Sequence, residues 1–282
     1  MGPLSGYKIL DCTDAKGTLC VKTLAGMGAA VKRVGPETLR EAVKTADILV
    51  ETGAPGYPGE KGLGYKDLEK INPGLIMASI TPFGQGGPYQ DFKASDLTLQ
   101  AMGGWLSVTG EADAPLKLYG SQAYYTAGLF AANGILLALR HRRETGRGQH
   151  IDISIMECAA ATLDQVPVRY FYQGIVSGRR GSRHWNNAFD IFRCRDGYIL
   201  LSLQLNWETL AEWLDAEGMA EDLAEARWGD RAERDRHIEH IVEVLGKWTL
   251  THGVKELAEK GQLMHFPWAE VVSENHAGAE AV

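Results

Sequence analysis

The chain is 282 residues long, enough for one large or two moderate domains with a sizeable core. Hydrophobic residues make up 45% and charged residues 23%, an ordinary balance for a globular protein. The net charge of −7 argues against nucleic acid or an anionic membrane as partner, because both need clustered cations.

Cys12, Cys20, Cys158 and Cys194 are scattered without paired spacing, so neither a disulfide framework nor a zinc site is expected. The first seven residues lack the basic and apolar regions of a signal peptide. No apolar run approaches the ~18 residues that span a bilayer. A cytoplasmic location is the expectation.

In chain order, residues 7–11 read as a buried strand, 17–28 as a helix and 30–34 as a second strand. A short helix follows at 37–45, then a strand at 47–50, a Gly/Pro-rich loop at 53–64, a helical turn at 67–71 and a strand at 75–80. Strands alternating with helices predict a parallel sheet covered by helices. Ligands of such sheets sit at the carboxyl ends of the strands, which places 11–17, 51–55 and 81–87 at the expected cleft. No Gly-x-Gly-x-x-Gly follows the first strand, so the dinucleotide fingerprint is absent.

Further on, 95–106 reads as a helix with Ser95 as N-cap. Residues 127–140 carry Leu129, Phe130, Ile135, Leu136, Leu137 and Leu139, apolar on every side, which predicts a buried helix stopped by Gly146. The cluster Arg140-His141-Arg142-Arg143 then complements that helix's C-terminal dipole. A strand at 151–153 and a helix at 156–165 follow. A Gly/Arg-rich loop at 174–181 leads to strands at 188–193 and 198–203, turned at Arg195-Asp196-Gly197. Helices at 207–217, 232–248 and 254–260 complete the pattern. The reading is α/β: a Rossmann-like large domain over 1–185 and a smaller α+β domain over 186–282.

The segment Ser121-Gln122-Ala123-Tyr124-Tyr125-Thr126-Ala127-Gly128, followed by Thr145-Gly146-Arg147-Gly148-Gln149, resembles the core signature of the class III CoA-transferases, the formyl-CoA and carnitine CoA-transferase family. The run from Ser79 to Tyr89 (Ser-Ile-Thr-Pro-Phe-Gly-Gln-Gly-Gly-Pro-Tyr) resembles the same family. So do Gln100-Ala101-Met102-Gly103-Gly104, Thr109-Gly110-Glu111 and Phe192-Arg193-Cys194-Arg195-Asp196-Gly197-Tyr198. The resemblance covers nearly the whole chain. It implies a Rossmann-like large domain, a small domain and interlocked dimers. The implied chemistry is CoA transfer through an aspartate that attacks a thioester, forms a mixed anhydride and then carries CoA as an aspartyl thioester.

The chain departs from that pattern in three places. The position of the family's nucleophilic aspartate is Tyr124, a phenol of ordinary pKa ~10 that cannot form an anhydride. Asp96 is the residual acidic candidate, since it aligns with a residue near the family's active site. Glu111 and Asp113 lie on a nearby loop, and Cys158 reads as core rather than nucleophile. The family's CoA-contacting positions are altered at Thr52, Gly53 and Ala54, and a basic segment after the second strand is missing, so cationic and N–H donors for phosphates are lost. The chain also stops at Val282, truncated relative to the family, which returns from its small domain to complete the large one. Ser95 replaces the histidine of the family's racemases.

The expectation is a non-catalytic subunit of a heteromeric class III CoA-transferase. Its paralogous partner would supply the aspartate and bind CoA or acyl-CoA, with succinyl-CoA as a candidate donor, and the anaerobic breakdown of aromatic compounds as a candidate setting. No metal is expected. The stretch Tyr170, Tyr172, Arg179, Arg180, Arg183, His184 and Trp185 is the candidate interface, because arginine and aromatics are enriched there. The alternative is a free-standing enzyme with altered acyl-CoA chemistry, and a scaffolding role is not separable from the subunit role by sequence.

Overall fold

The structure, a computed structural model, describes residues 2–56 and 62–272. It divides into two compact units, Met1–Arg179 and Arg180–Val282. Residues 180–185, read from the sequence as the end of the large domain, fall in the second unit. The predicted loop at 53–64 lies partly outside the described residues, as does the chain beyond Val272.

The first unit is built on a five-stranded sheet of order β2-β1-β3-β4-β5, parallel throughout. The strands are β1 (Lys8–Cys12), β2 (Ala30–Arg33), β3 (Ile48–Glu51), β4 (Ile76–Thr81) and β5 (His150–Ser154). Every residue of β3 and β4 is buried, as expected for central strands covered on both faces. Alternate residues feed two cores. Ile9, Ile48, Val50, Ile76, Ala78 and Ile80 pack beneath α1 (Thr18–Gly26) and the later helices. Leu10, Leu49, Met77 and Leu75 pack beneath α2 (Pro36–Val43) and α3 (Tyr65–Leu68).

The predicted helix at 95–106 is two helices, α4 (Asp96–Met102) and α5 (Trp105–Val108). They break at Gly104, whose φ of 90° lies in the left-handed region that favours glycine. Ser95 caps α4 by accepting the Thr98 N–H at 3.3 Å.

The long helix α6 (Gln122–Thr145) begins five residues earlier than its apolar pattern suggests, so Tyr124 stands in its first turn. Its buried face carries small residues: Ala123, Ala127, Gly128, Ala131, Ala132 and Ala138. They allow a close approach to α1, where a Cβ on Gly128 would meet the Cys20 backbone nitrogen at 3.1 Å. The expectation of a helix buried all round is corrected. Tyr125, Leu129, Phe130 and Leu137 are exposed, Leu137 by 69%, and the i, i+4 pair Tyr125 and Leu129 share one open face.

Gly146, at φ 74°, ends α6 as expected. The basic cluster there does more than complement a dipole. Arg142 pairs with Asp47 at 2.9 Å and donates to the Gly74 carbonyl at 2.9 Å, and Arg143 reaches the Tyr7 hydroxyl at 3.1 Å. The predicted helix at 156–165 is the shorter α7 (Ile155–Ala161). It is followed by α8 (Gln165–Gln173), which the sequence reading missed and which buries none of its residues.

The second unit carries an antiparallel sheet, β6 (Phe189–Arg193), β7 (Tyr198–Ser202) and β8 (Ala269–Glu270), in that order. The Asp196 carboxylate in the β6–β7 turn also accepts the Val254 N–H at 2.8 Å, which starts α12 (Val254–Leu263). With α9 (Trp207–Ala216), α10 (Arg231–Arg236) and α11 (Ile238–Thr249), it encloses a core containing Trp207, Trp228, Trp248 and Trp268. The single helix expected at 232–248 is thus α10 and α11, divided at His237. The Trp268 indole N–H finds the buried Ser202 hydroxyl at 3.0 Å.

Candidate functional site

In a sheet of order 2-1-3-4-5 the ligand crevice opens at the carboxyl ends of β1 and β3, where the connections leave for opposite faces. That edge holds Asp11 to Asp14, Arg33 and Glu51 to Gly53, and nearly all of its polar groups are engaged. Asp11 accepts the Thr13 N–H at 2.8 Å and the Thr13 hydroxyl at 2.7 Å, and pairs with Arg33 at 2.9 Å. Burial pushes the Asp11 carboxyl up, but these donors outweigh it and hold the pKa below its ordinary value. Arg33 also donates to the Thr13 carbonyl, and Lys16 is paired with Asp14. Of the three altered positions, Thr52 accepts the Asp14 N–H at 2.9 Å, Gly53 gives its N–H to Glu51 at 2.6 Å, and Ala54 has no polar side chain. The donors a diphosphate would use at this edge are therefore turned inward or neutralised among the described residues.

Strand register lays a row of polar side chains across the sheet just behind this edge. Cys12 pairs with Glu51, Glu51 with Ser79, and Ser79 with Asp152. Ser79 is hydrogen-bonded to His150 Nε2 at 2.9 Å, and Tyr65 stacks on the His150 ring at 5.4 Å. Glu51 is buried, and its Oε1 has no hydrogen-bond partner among the described residues. Burial, with a smaller push from Asp152, raises its pKa above the ordinary glutamate value, although Ser79, the Gly53 N–H and Lys16 oppose the shift. Burial likewise lowers the His150 pKa, against the pull of Asp152. The sequence places Glu51 in the 51–55 segment expected at the cleft and Ser79 at the head of the 79–89 run without giving either side chain a role, and His150 is not singled out. The available signal was a carboxylate closing the otherwise apolar strand Ile48-Leu49-Val50-Glu51.

Tyr124 is half-buried in the first turn of α6. Burial first, and then the Asp96 and Asp14 carboxylates, raise its phenol above 10, so it is neutral at physiological pH. Asp96 is buried, and both of its oxygens are engaged. Oδ1 accepts the Ala123 N–H at 3.0 Å, while Oδ2 accepts from Gln100 at 2.6 Å and lies 3.2 Å from Lys117 Nζ. Ser121, the N-cap residue of α6, makes no side-chain cap, so Asp96 supplies the helix start from a neighbouring element. Gln100 and Lys117 complete this arrangement by holding the Leu118 N–H and the Leu118 and Gly120 carbonyls.

Glu111 and Asp113 are exposed on the loop before α6. That loop is held through its backbone, where Arg179 donates to the carbonyls of Glu111 at 2.9 Å and Ala112 at 2.8 Å. Cys158 is buried in the core, and burial raises its thiol to about 11. In the candidate interface stretch, Tyr170 and Tyr172 are exposed on α8 beside Phe171. The arginines are engaged within their own units: Arg179 as described, Arg180 with the Trp185 carbonyl and Asn187, and Arg183 with Glu239 at 2.8 Å. No group of three or more potential metal ligands is found among the described residues. None of their helices is long and apolar enough to cross a membrane.

Sheet order, covering helices and crevice define a doubly wound α/β protein with an appended α+β unit. A model of the family described as CoA-transferase family III matches residues 32–280, and the chain belongs to that family. It is 30% identical to the succinyl-CoA:(R)-benzylsuccinate CoA-transferase subunit BbsE of Thauera aromatica, over 92% of this chain and 76% of that one. It is 32% identical to the succinyl-CoA--L-malate CoA-transferase beta subunit of Chloroflexus aurantiacus, over 80% of this chain and 57% of the relative. It is 31% identical to the succinate--glutarate CoA-transferase of Agrobacterium fabrum, over 79% of this chain and 56% of the relative. The chain thus spans little more than half the length of the last two. Among solved structures it is similar to a CaiB/BaiF family protein from Brucella suis, with a TM-score of 0.86 and 25% identity over 96% of this chain and 84% of the other.

Proposed function

We propose that this chain is a non-catalytic subunit of a heteromeric class III CoA-transferase and that a paralogous partner supplies both the nucleophilic carboxylate and the CoA site. Tyr124 carries the reading. A neutral phenol stands in the first turn of α6, and the nearby carboxylate that could replace it, Asp96, is spent on capping that helix. The occupied donors at the β1/β3 edge point the same way, because the residues present there do not fit a nucleotide's phosphates. On this proposal, CoA is assigned to the partner.

The exposed apolar face of α6 and the exposed Tyr170, Phe171 and Tyr172 of α8 supply surface for that partner. Two of the relatives reported above are named as subunits of larger enzymes, and both act with succinyl-CoA, which makes succinyl-CoA the favoured donor. Aromatic residues at the centre of an interface commonly each contribute 2 kcal/mol or more. Replacing Phe171 and Tyr172 together by Ser is therefore expected to weaken partner capture at least ~30-fold.

The test is expression of the chain alone and together with a full-length paralogue bearing the aspartate. Transfer of CoA from succinyl-CoA to a dicarboxylate is expected only in the co-expressed sample, with both chains eluting as one species. Tyr124→Asp in the isolated chain is expected to restore no transfer. A soluble isolated chain that turns over acyl-CoA overturns the proposal.

A further inference from the structure

Strand β2 is an outer edge of the parallel sheet, and all four of its residues are exposed. Only Val34 and Gly35 separate it from α2, and no later strand of the described residues lies along it. The Ala30 N–H donates to the Tyr7 carbonyl at 2.9 Å and the Val34 N–H to the Asp11 carbonyl at 3.1 Å. In a parallel ladder alternate residues face the neighbouring strand. Ala30, Lys32 and Val34 therefore face β1, and the N–H and C=O groups of Val31 and Arg33 face away from the sheet. On the α2 side of this strand lies a groove of about 240 Å³ with Leu10, Ala30, Ala42 and Ala46 among its apolar walls. Lys8 and Lys32 line it as well.

Register sets Lys8 beside Ala30 and Leu10 beside Lys32, so Lys8, Ala30 and Lys32 share the α2 face, while Val31, 40% exposed, faces the other way. Ala30 is too short to screen the Lys8 stem from the free edge. Neither ammonium has a carboxylate partner among the described residues. Adjoining carboxylates are taken, Asp47 by the Lys8 N–H and Arg142, and Glu41 by Lys44. The edge thus offers open backbone groups with two uncommitted cations on one face. A second copy of this chain fits it badly, because pairing β2 with β2 brings the lysines of the two copies together. A segment with acidic residues at every second position fits it well. Its carboxylates meet Lys8 and Lys32 on the α2 face, and the residue between them lies beside Val31.

We propose that the β2 edge is a docking site for an extended acidic segment of another protein, which adds a strand to the sheet and turns its carboxylates toward Lys8 and Lys32. Backbone hydrogen bonds to Val31 and Arg33 supply affinity, and the two lysines beside the groove supply selectivity. The assignment is independent of where CoA is bound or which chain carries the nucleophile.

The experiment titrates the full chain with a fluorescein-labelled peptide, Gly-Glu-Val-Glu-Val-Glu-Gly, followed by fluorescence anisotropy. One control peptide replaces its glutamates by lysine. The other replaces its valines by proline, which removes the N–H groups that an added strand donates. The acidic peptide is expected to bind, more weakly as salt rises, and to slow amide exchange at Val31 and Arg33. Each control is expected to bind at least ~10-fold more weakly. Lys32→Glu is expected to weaken the acidic peptide ~10-fold, because an attraction becomes a repulsion. The control peptides act on the unaltered chain and keep the test decisive if Lys32→Glu does not fold. No binding of the acidic peptide at millimolar concentration, equal binding of the proline peptide, undiminished binding to Lys32→Glu, or unchanged exchange at Val31 and Arg33 each overturns the assignment. So does protection of Val31 and Arg33 that rises with the concentration of the chain alone, which would make a second copy the occupant.

Discussion

The first unit buries two carboxylates in contrasting surroundings. Around Asp96, the Ala123 N–H, the Gln100 amide and the Lys117 ammonium occupy both oxygens, and the group joins α4, the loop before α6 and the first turn of α6. Around Glu51, one oxygen takes the Gly53 N–H, and Oε1 is buried with no hydrogen-bond partner among the described residues. A saturated buried carboxylate stabilises the structure that saturates it and has no lone pair in position to attack a substrate. A half-satisfied one costs stability. By this measure Asp96, the acidic residue that stands out in the sequence, is architectural, and Glu51 is the group with unspent capacity.

The largest expected effect breaks the saturated side. Asp96→Ala strands the Ala123 N–H, Gln100 and Lys117 together, and a loss of about 3 kcal/mol is expected in urea unfolding. Asp96→Asn can still accept from Ala123 and should cost visibly less. Equal losses in the two variants would mean that the charge, rather than the cap, matters.

Glu51→Gln tests the other side, and its sign is opposite. Because the native carboxyl has a raised pKa, the folded chain keeps a proton that the unfolded chain has already lost. Stability therefore falls as pH rises from the ordinary glutamate value of 4.5 to the higher native value, and then levels off. Glu51→Gln is expected to remove that fall, matching the parent at pH 4 and exceeding it by about 1 kcal/mol at pH 7, the order of an unmade buried hydrogen bond. A variant less stable than the parent at both pH values would show that Glu51 is as structural as Asp96.

The smallest effect is expected from Lys117→Met. The Lys117 side chain is 35% exposed, so removal of its charge should cost about 1 kcal/mol by thermal unfolding, well short of Asp96→Ala.

Strand alternation, the Ser95 cap, the Gly146 stop and the β6–β7 turn were legible in the sequence, because each rests on local chemistry. The early start of α6 was not, since Ser121 makes no side-chain cap and Asp96, distant in sequence, does that work. The open face of α6 was also missed. A count of apolar residues cannot separate a side packed within the chain from one left exposed, and Leu137 is exposed. Tyr124 can be read in advance as a missing carboxylate, whereas the buried, unpartnered Oε1 of Glu51 cannot. Its burial depends on strand register, which sets it beside Cys12 and Ser79.

No residue of helix α8 is fully buried, and this has a kinetic consequence. Nine residues are too few to hold a helix in water by propensity alone, and no side chain of α8 is anchored in a core. In the solitary chain its amides belong to the fast-exchanging class, opening at almost no free-energy cost, while those of β3 and β4 open only with the whole unit. A subunit that covers Phe171 and Tyr172 would move α8 from the first class toward the second. Amide deuteration of α8 would then be a clock for assembly, slowing only in molecules that carry such a subunit.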